Sequence, residues 1–151
     1  MLKVVFIDDG IDPGFVPENI PFKSYESNEA GVKESTAGCG LSHGTQCYQI
    51  FRDKVRSPYR LISIKVLDSM TGTGTKSALI AALKWCANQE IDLINMSMGT
   101  RQFLDFAPIA EAVQELSFAV IVAACSNQNE LTFPACLRQV IGVRHCSRRQ
   151  A

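Results

Sequence analysis

The chain lacks three features that would place it in a broad class at once: excess charge, a long apolar run and paired cysteines. Its 151 residues include 15 Lys plus Arg and 15 Asp plus Glu, so the formal net charge is zero. A neutral chain has no electrostatic footprint for nucleic acid or anionic lipid. No stretch approaches the ~18 apolar residues of a membrane-spanning helix, and the apolar run at residues 4–7 is too short for a secretion signal. We expect a cytoplasmic protein with no nucleic-acid and no membrane partner.

The cysteines form no C-x-x-C pair. Zinc sites usually draw their ligands from closely spaced pairs, and only His145 and Cys146 are adjacent. The sequence therefore predicts buried, reduced thiols, which suit a cytoplasmic protein, with no metal and no cofactor. The six residues are Cys39, Cys47, Cys86, Cys125, Cys136 and Cys146.

Apolar runs alternate with helical patterns along the chain. Runs that are apolar on both faces predict buried strands at residues 4–7, 61–67, 91–96, 119–124 and 140–143. Helical spacing predicts three helices, which begin near Ser42, near Lys76 and at Asp105, with the side chain of Asp105 as a cap. Residues 11–42 are predicted to be irregular because proline and glycine punctuate them. This alternation predicts an α/β fold, a parallel sheet with helices on both faces.

In sheets of this kind, ligands and catalytic groups lie beyond the carboxyl ends of the strands. The loop at residues 72–77 lacks the Gly-Lys-Ser order of a Walker A loop, and residues 8–12 lack the Rossmann glycine fingerprint. A receiver-type signalling domain needs a phospho-accepting Asp at the end of its middle strand, where this chain has Asn95-Met96-Ser97. Nucleotide binding and phosphotransfer signalling are therefore weaker hypotheses than the one that follows.

Several segments resemble, in the correct order, the motifs of subtilisin-like serine peptidases. Residues 4–12 are similar to their aspartate motif, an apolar strand followed by Asp, a small or polar residue and Gly. Ser42-His43-Gly44-Thr45 resembles their His-Gly-Thr motif. Residues 122–127 resemble the segment that bears the oxyanion-hole asparagine, with Ser126 in place of the usual Gly. Further similarity at 64–99 and 133–143 extends the match from residue 4 to about residue 143.

The resemblance implies a three-layer subtilisin-like sandwich and hydrolysis of peptide bonds. It assigns His43 as the general base, Asp8 as the carboxylate that orients the imidazole, and Asn127 as the oxyanion donor. Each residue also has a plainer interpretation, such as a structural histidine or a turn asparagine. Asp9 is expected to face solvent or the loop.

Two further segments resemble the backbone strips that flank an extended substrate peptide in this family. Glycine suits such strips because the substrate backbone must approach closely. The partner expected at this site is a peptide or protein substrate. The residues are Gly72, Thr73 and Gly74 in one strip and Ser97, Met98 and Gly99 in the other. A flexible turn at residues 72–74 and a core role for Met98 are the plainer alternatives.

The chain departs from the family pattern at its nucleophile. The family's serine lies in a Gly-Thr-Ser-Met-Ala segment beyond the oxyanion asparagine, and the only serine after Asn127 here is Ser147. We therefore expect residues 1–151 to be a single, incomplete peptidase domain with an exposed apolar sheet face, which a partner chain or oligomer could cover. The open alternatives are a shortened product, a half completed by another chain, and an inactive peptide-binding or partner-binding protein.

Overall fold

The computed structural model describes residues 1–36, 38–128 and 130–145 of the chain. Its centre is a seven-stranded sheet in the order β3-β2-β4-β1-β5-β6-β7. The neighbouring strands are parallel except β2 and β3, which form an antiparallel hairpin. The strands are β1 Leu2–Asp8, β2 Phe22–Asn28, β3 Gly31–Glu34, β4 Tyr59–Lys65, β5 Leu93–Met96, β6 Val120–Ala124 and β7 Val140–Val143.

Helices cover both faces of the sheet, as the sequence predicted. They are α1 His43–Lys54, α2 Lys76–Ala87 and α3 Phe106–Gln114, with short 3-10 turns at Pro13–Phe15 and Phe103–Asp105. Alternate residues of β1 serve the two faces because successive side chains of a strand point in opposite directions. Val4 and Phe6 pack against α1, whereas Val5 and Ile7 pack in the larger core with α2 and α3. Strand β1 is therefore the buried centre of a three-layer α/β sandwich.

The prediction of irregular structure over residues 11–42 was wrong in part, because strands β2 and β3 lie within it. The hairpin turns at Asn28–Gly31, where Asn28 Oδ1 accepts the Ala30 N–H at 2.8 Å and Gly31 has a φ of 119°. Strand β2 reads Phe-Lys-Ser-Tyr-Glu-Ser-Asn, with polar residues on both faces. It therefore lacks the apolar alternation that indicates a strand in a sequence.

Asp105 does not cap α3 with its side chain, contrary to prediction. The preceding 3-10 turn already places its backbone in the helical region, with φ −84° and ψ −12°, whereas a capping residue is typically extended. Its carboxylate instead accepts a hydrogen bond from Thr100 Oγ1 at 2.7 Å and pairs with Lys76 Nζ at 3.1 Å. Asp105 thus joins the start of α2 to the segment that follows β5.

The cysteines that the structure describes are free thiols. The prediction that they are buried was wrong for most of them. Cys86 is buried within α2, Cys136 is exposed, and Cys39, Cys47 and Cys125 are half-buried. Cys146 lies outside the described residues. None of the described helices is both long and apolar enough to cross a bilayer.

The side of β6 and β7 that faces away from α2 and α3 is open, so the expected exposed apolar face is present. Val120, Ile141 and Val143 are 51%, 56% and 51% exposed. In β6, Val122 and Ala124 face the same side as Val120 and are half-buried, whereas Ile121 and Ala123 face the core. We call the five residues Val120, Val122, Ala124, Ile141 and Val143 the open face.

Candidate active site

The first strand ends in two buried carboxylates. Asp8 and Asp9 are only 2% and 5% exposed, which is unusual for acidic side chains unless they are paired. Gly10 follows with a φ of 105°, in the region that favours glycine, and turns the chain away from the sheet. Both carboxylates lie at the carboxyl edge of the central strand, where α/β sheets place their functional groups.

Helix α1 begins directly against this edge. Ser42 is its N-cap, and the Ser42 hydroxyl accepts the Thr45 N–H at 3.2 Å and donates to the Gly10 carbonyl at 2.8 Å. Gly44 permits the close approach, because a Cβ atom there would lie 2.5 Å from the Gly10 carbonyl oxygen. These contacts place His43, the first residue of the helix, beside Asp8.

Asp8 and His43 form a hydrogen-bonded pair. The Nδ1 atom of His43 lies 3.0 Å from Oδ2 and 3.1 Å from Oδ1 of Asp8. Burial raises the pKa of Asp8 above its ordinary value, and the bond to His43 opposes that shift. The His43 side chain is 59% exposed, so its second ring nitrogen is open to a ligand. An acceptor at Nδ1 favours the tautomer in which Nε2 is free to accept a proton.

Asp9 was expected to face solvent or the loop, but its buried carboxylate contacts the start of α1. Its Oδ2 accepts the backbone N–H of His43 at 3.1 Å, and its Oδ1 accepts that of Gly44 at 2.8 Å. The first N–H groups of a helix have no partner within the helix, and the helix dipole favours negative charge there. Asp9 therefore fixes the backbone that carries His43. Asp9 and His43 are 34 residues apart in the chain, so no local sequence pattern predicts this contact.

Cys47 also lies at the pair and was missed by the sequence analysis. Its Sγ is 3.8 Å from Nε2 of His43, and the Ser97 hydroxyl donates to it at 3.4 Å. Asn95 Nδ2 in turn donates to Ser97 Oγ at 3.1 Å. Burial raises the pKa of the Cys47 thiol. The available signal was the four-residue spacing from His43, which places both side chains on one face of a helix.

Asn127 and Ser97 share a cavity with His43. This cavity of about 470 Å³ opens at the carboxyl ends of β5, β6 and β7, and Val122 and Ala124 of the open face also line it. Asn127 itself is exposed in the turn after β6. The structure thus brings the predicted oxyanion asparagine to the same cavity as the predicted base.

The remaining residues of the two predicted strips do not share one environment: residues 72–74 are exposed, and Met98 packs against the larger core. Residues 68–74 form an exposed turn, in which the Asp68 N–H donates to the Thr73 carbonyl and Gly72 has a φ of 65°. Residues Gly72, Thr73 and Gly74 are not among those that line the cavity around His43. Met98 packs against the larger core, and a Cβ atom at Gly99 would lie 2.9 Å from the Phe133 carbonyl oxygen.

A buried carboxylate that orients an exposed imidazole, at the carboxyl edge of a parallel sheet, is the arrangement by which hydrolases activate a hydroxyl nucleophile. A family model described as the subtilase family matches residues 2–151. The chain belongs to the subtilase family, the subtilisin-like serine peptidases.

Individual relatives agree with this assignment. Subtilisin DY of Bacillus licheniformis is 36% identical over 91 residues, which cover 55% of this chain and 32% of that protein. The major intracellular serine protease of Bacillus subtilis strain 168 is 26% identical over 94% of this chain and 50% of its own length. The chain thus spans a third to a half of these relatives.

Solved structures confirm the fold. A lanthipeptide protease superimposes with a TM-score of 0.72 at 19% identity and covers 93% of this chain, which corresponds to 47% of that structure. A cold-adapted subtilisin-like serine proteinase gives a TM-score of 0.68 at 22% identity, with 93% and 53% coverage. The subtilisin-like α/β architecture predicted from the sequence is therefore correct.

Proposed function

We propose that this chain provides the acid–base pair and the oxyanion donor of a subtilisin-like serine endopeptidase. The observation that carries the proposal is the contact of both Asp8 carboxylate oxygens with Nδ1 of His43, at 3.0 and 3.1 Å. In this role Nε2 of His43 accepts the proton of a serine hydroxyl as that oxygen attacks the peptide carbonyl carbon. The same nitrogen then returns the proton to the leaving amine.

Asp8 and Asn127 act on the charges that this reaction creates. Asp8 stabilises the imidazolium that forms when Nε2 is protonated, and it stays ionised throughout. Asn127 donates its side-chain amide to the oxygen of the tetrahedral intermediate, as the oxyanion-hole asparagine does in subtilisin. Its position on the cavity that contains His43 supports this assignment.

The substrate is proposed to be an extended peptide segment of a peptide or protein. Residues 72–74 and 97–99 are proposed to pair with its backbone as flanking strands. The exposure of the 68–74 turn leaves its backbone accessible for such pairing.

The serine nucleophile is proposed to come from a segment other than the described residues. Among residues 1–36, 38–128 and 130–145, no serine hydroxyl forms a hydrogen bond with His43. Ser97 shares the cavity, but its hydroxyl donates to Cys47. Residues 1–151 are accordingly proposed to be one incomplete peptidase domain.

Active-site labelling tests this proposal. The purified chain is treated with a fluorophosphonate probe, alone and after co-expression with a segment from a subtilisin relative that carries the Gly-Thr-Ser-Met-Ala motif. We expect no labelling of the chain alone and labelling of the added serine in the complex. Asp8→Asn in the complex should lower the labelling rate by ~10⁴, the factor by which loss of the orienting carboxylate lowers kcat in another Ser-His-Asp triad. Labelling of the chain alone would show that it contains its own nucleophile.

A second candidate function is peptide or partner binding without catalysis. The observation that favours it is an acid–base pair that forms no hydrogen bond with a serine hydroxyl of the described residues, next to an open apolar face. Two results together would favour this function over the first. The complex folds but stays unlabelled, and NMR titrations show that the chain still binds extended peptides at residues 72–74 and 97–99.

A cytoplasmic location is proposed as well. The free thiols of the described cysteines suit a reducing compartment, and one relative bears the name of an intracellular protease. Detection of the chain in the cytoplasmic fraction of fractionated cells would support this location, and detection only in another fraction would contradict it.

A further inference from the structure

The side chain of Cys47 adds a third metal-binding group to the Asp8–His43 pair. Its Sγ is 3.9 Å from Nδ1 of His43, and Nδ1 is 3.0 Å from Oδ2 of Asp8. One donor atom from each of the three residues lies within 4.8 Å of the other two. A thiolate, an imidazole and a carboxylate together are donors that zinc accepts.

The distances suit one small ion. Tetrahedral zinc holds its ligands at ~2.0–2.3 Å, which places ligand atoms roughly 3–4 Å from one another. The Nδ1–Oδ2 and Nδ1–Sγ separations of 3.0 and 3.9 Å lie at the two ends of that interval. The three donor atoms lie within 4.8 Å of one another, and Sγ is almost equidistant from Nδ1 and Nε2, so the Cys47 side chain must rotate towards Nδ1 to bind the same ion.

The donors are held by rigid elements and by further hydrogen bonds. His43 and Cys47 are one turn apart on α1, and Asp8 ends the central strand. Ser97 Oγ contacts the sulfur at 3.4 Å, and the Asp9 N–H binds Asp8 Oδ1 at 2.9 Å. Such outer contacts orient ligands and raise metal affinity. The His43 side chain is 59% exposed, so an ion can reach the three donors from solvent.

We propose that Asp8, His43 and Cys47 form a binding site for a zinc-class ion, bound through Oδ2, Nδ1 and Sγ, and that this ion switches off the proposed base. The Cys47 thiol releases its proton to solvent when the sulfur binds the ion. The proton on Nδ1 gives way to the ion, and the neutral ring keeps its single proton on Nε2. One proton is thus released for each ion bound, and Nε2 can no longer accept a proton from a serine.

The ion-binding part of this inference does not depend on the proposed function, whereas the inhibitory part does. In the described part of the chain, this is the only group of three such side chains within that distance. Cys136, exposed and far along the chain, is therefore a matched control for adventitious thiol binding.

The test uses the full chain, reduced and metal-free, titrated with Co²⁺ as a spectroscopic probe and then with Zn²⁺. We expect one Co²⁺ per chain with a thiolate-to-cobalt charge-transfer band, which Zn²⁺ abolishes by displacement. Cys136→Ser should keep the band. Cys47→Ser should lose it and bind Zn²⁺ at least ~10-fold more weakly. Asp8→Asn should weaken binding in the same direction.

NMR provides a second measurement that needs no variant. The chain has two histidines, His43 and His145. At one equivalent, Zn²⁺ should shift the ring signals of His43 much more than those of His145, which lines the same cavity but is not a proposed ligand. A band that survives Cys47→Ser, or equal shifts of both histidines, would overturn the site. If Zn²⁺ binds but does not slow labelling of the reconstituted complex, the site stands and its inhibitory role fails.

Discussion

Two adjacent carboxylates at the end of β1 take different roles because of the groups they meet. Asp8 points to the His43 ring, and Asp9 points to the backbone N–H groups of His43 and Gly44. Successive residues at a strand end face opposite directions, so one can contact a side chain while its neighbour contacts a helix terminus. His43 is therefore fixed through both its ring and its backbone.

Removal of the Asp9 carboxylate should destabilise the protein. Asp9→Ala leaves two N–H groups at the start of α1 without their acceptor and removes a charge that the helix dipole favours, at a cost of about 2 kcal/mol. Asp9→Asn keeps one acceptor oxygen and should lose about half as much. Urea unfolding followed by circular dichroism measures both.

Asp53 near the opposite end of α1 is the matched control for Asp9. It is exposed, so Asp53→Ala should change the free energy of unfolding by less than ~0.5 kcal/mol. Equal midpoints for Asp9→Ala and the native chain would show that the carboxylate does not hold the helix start.

Asp12 should make stability depend on pH. Its carboxylate accepts the N–H groups of Gly40, Gly14 and Cys39 at 2.7, 2.8 and 2.9 Å, and these bonds hold its pKa below the ordinary value of 3.8. The ionised form is thus favoured by folding. Its contribution, about 1 kcal/mol for a half-buried group screened by water, is present above pH 3.8 and is lost as pH falls through the lower folded-state value.

Asp12→Asn should therefore be less stable than the native chain near neutral pH, and the difference should shrink in acid. Thermal unfolding measured from pH 7 to pH 2.5 follows this change. Glu18→Gln, at an exposed position in the same loop, should show no such trend. A constant difference across the pH range would contradict the role of the charge.

At the residue scale, motifs predicted Asp8, His43 and Asn127, because the family pattern specifies these residues by their immediate neighbours. Asp9 and Cys47 were not predicted as parts of the site. Their roles depend on contacts with α1 and with Ser97, across 34 and 50 residues of chain. Local patterns contain no information about these two contacts, although the four-residue spacing of Cys47 from His43 is a local signal that both share a helix face.

At the scale of elements, the junction of β1 and α1 depends on close backbone contact at Gly44. A methyl group there would lie 2.5 Å from the Gly10 carbonyl oxygen and 3.1 Å from Asp8 Cβ. Alanine is the better helix former by ~1 kcal/mol, but overpacking against backbone costs ~1–3 kcal/mol. We expect Gly44→Ala to destabilise the chain by about 1 kcal/mol and to displace His43.

Chemical denaturation and the His43 NMR signals measure these two effects of Gly44→Ala. Gln46→Ala is the control: it introduces alanine at an exposed position of the same turn, where the methyl group meets no backbone. It should change the free energy of unfolding by less than ~0.5 kcal/mol. A stabilised Gly44→Ala protein would mean that the junction has room for a side chain.

Elements with strong apolar patterns were predicted, and the polar hairpin was not. Strand β1, helix α2 and strand β6 are each signalled by the residues they bury. Strands β2 and β3 lie at one edge of the sheet and form through backbone hydrogen bonds to each other and to β4. Backbone pairing leaves little trace in side-chain composition, so an edge hairpin is harder to recognise than a central strand.

At the scale of the whole molecule, the uneven cover of the sheet governs behaviour in solution. Helix α1 packs over β1 through Tyr48 and Phe51, whereas the same side of β6 and β7 is the open face. Exposed apolar surface next to an edge strand favours association with another surface. We expect the isolated chain to self-associate in a concentration-dependent manner.

Charge placed on the open face should suppress that association. Val120→Lys and Ile141→Lys put a solvated cation at positions that are 51% and 56% exposed, so neither buries a charge in the monomer. Sedimentation velocity over a range of protein concentrations should show a shift towards monomer for both. Phe118→Lys, at an apolar residue that is 94% exposed outside the open face, should leave association unchanged. A native chain that stays monomeric throughout, or an equal effect of Phe118→Lys, would mean that the open face is not the surface that drives association.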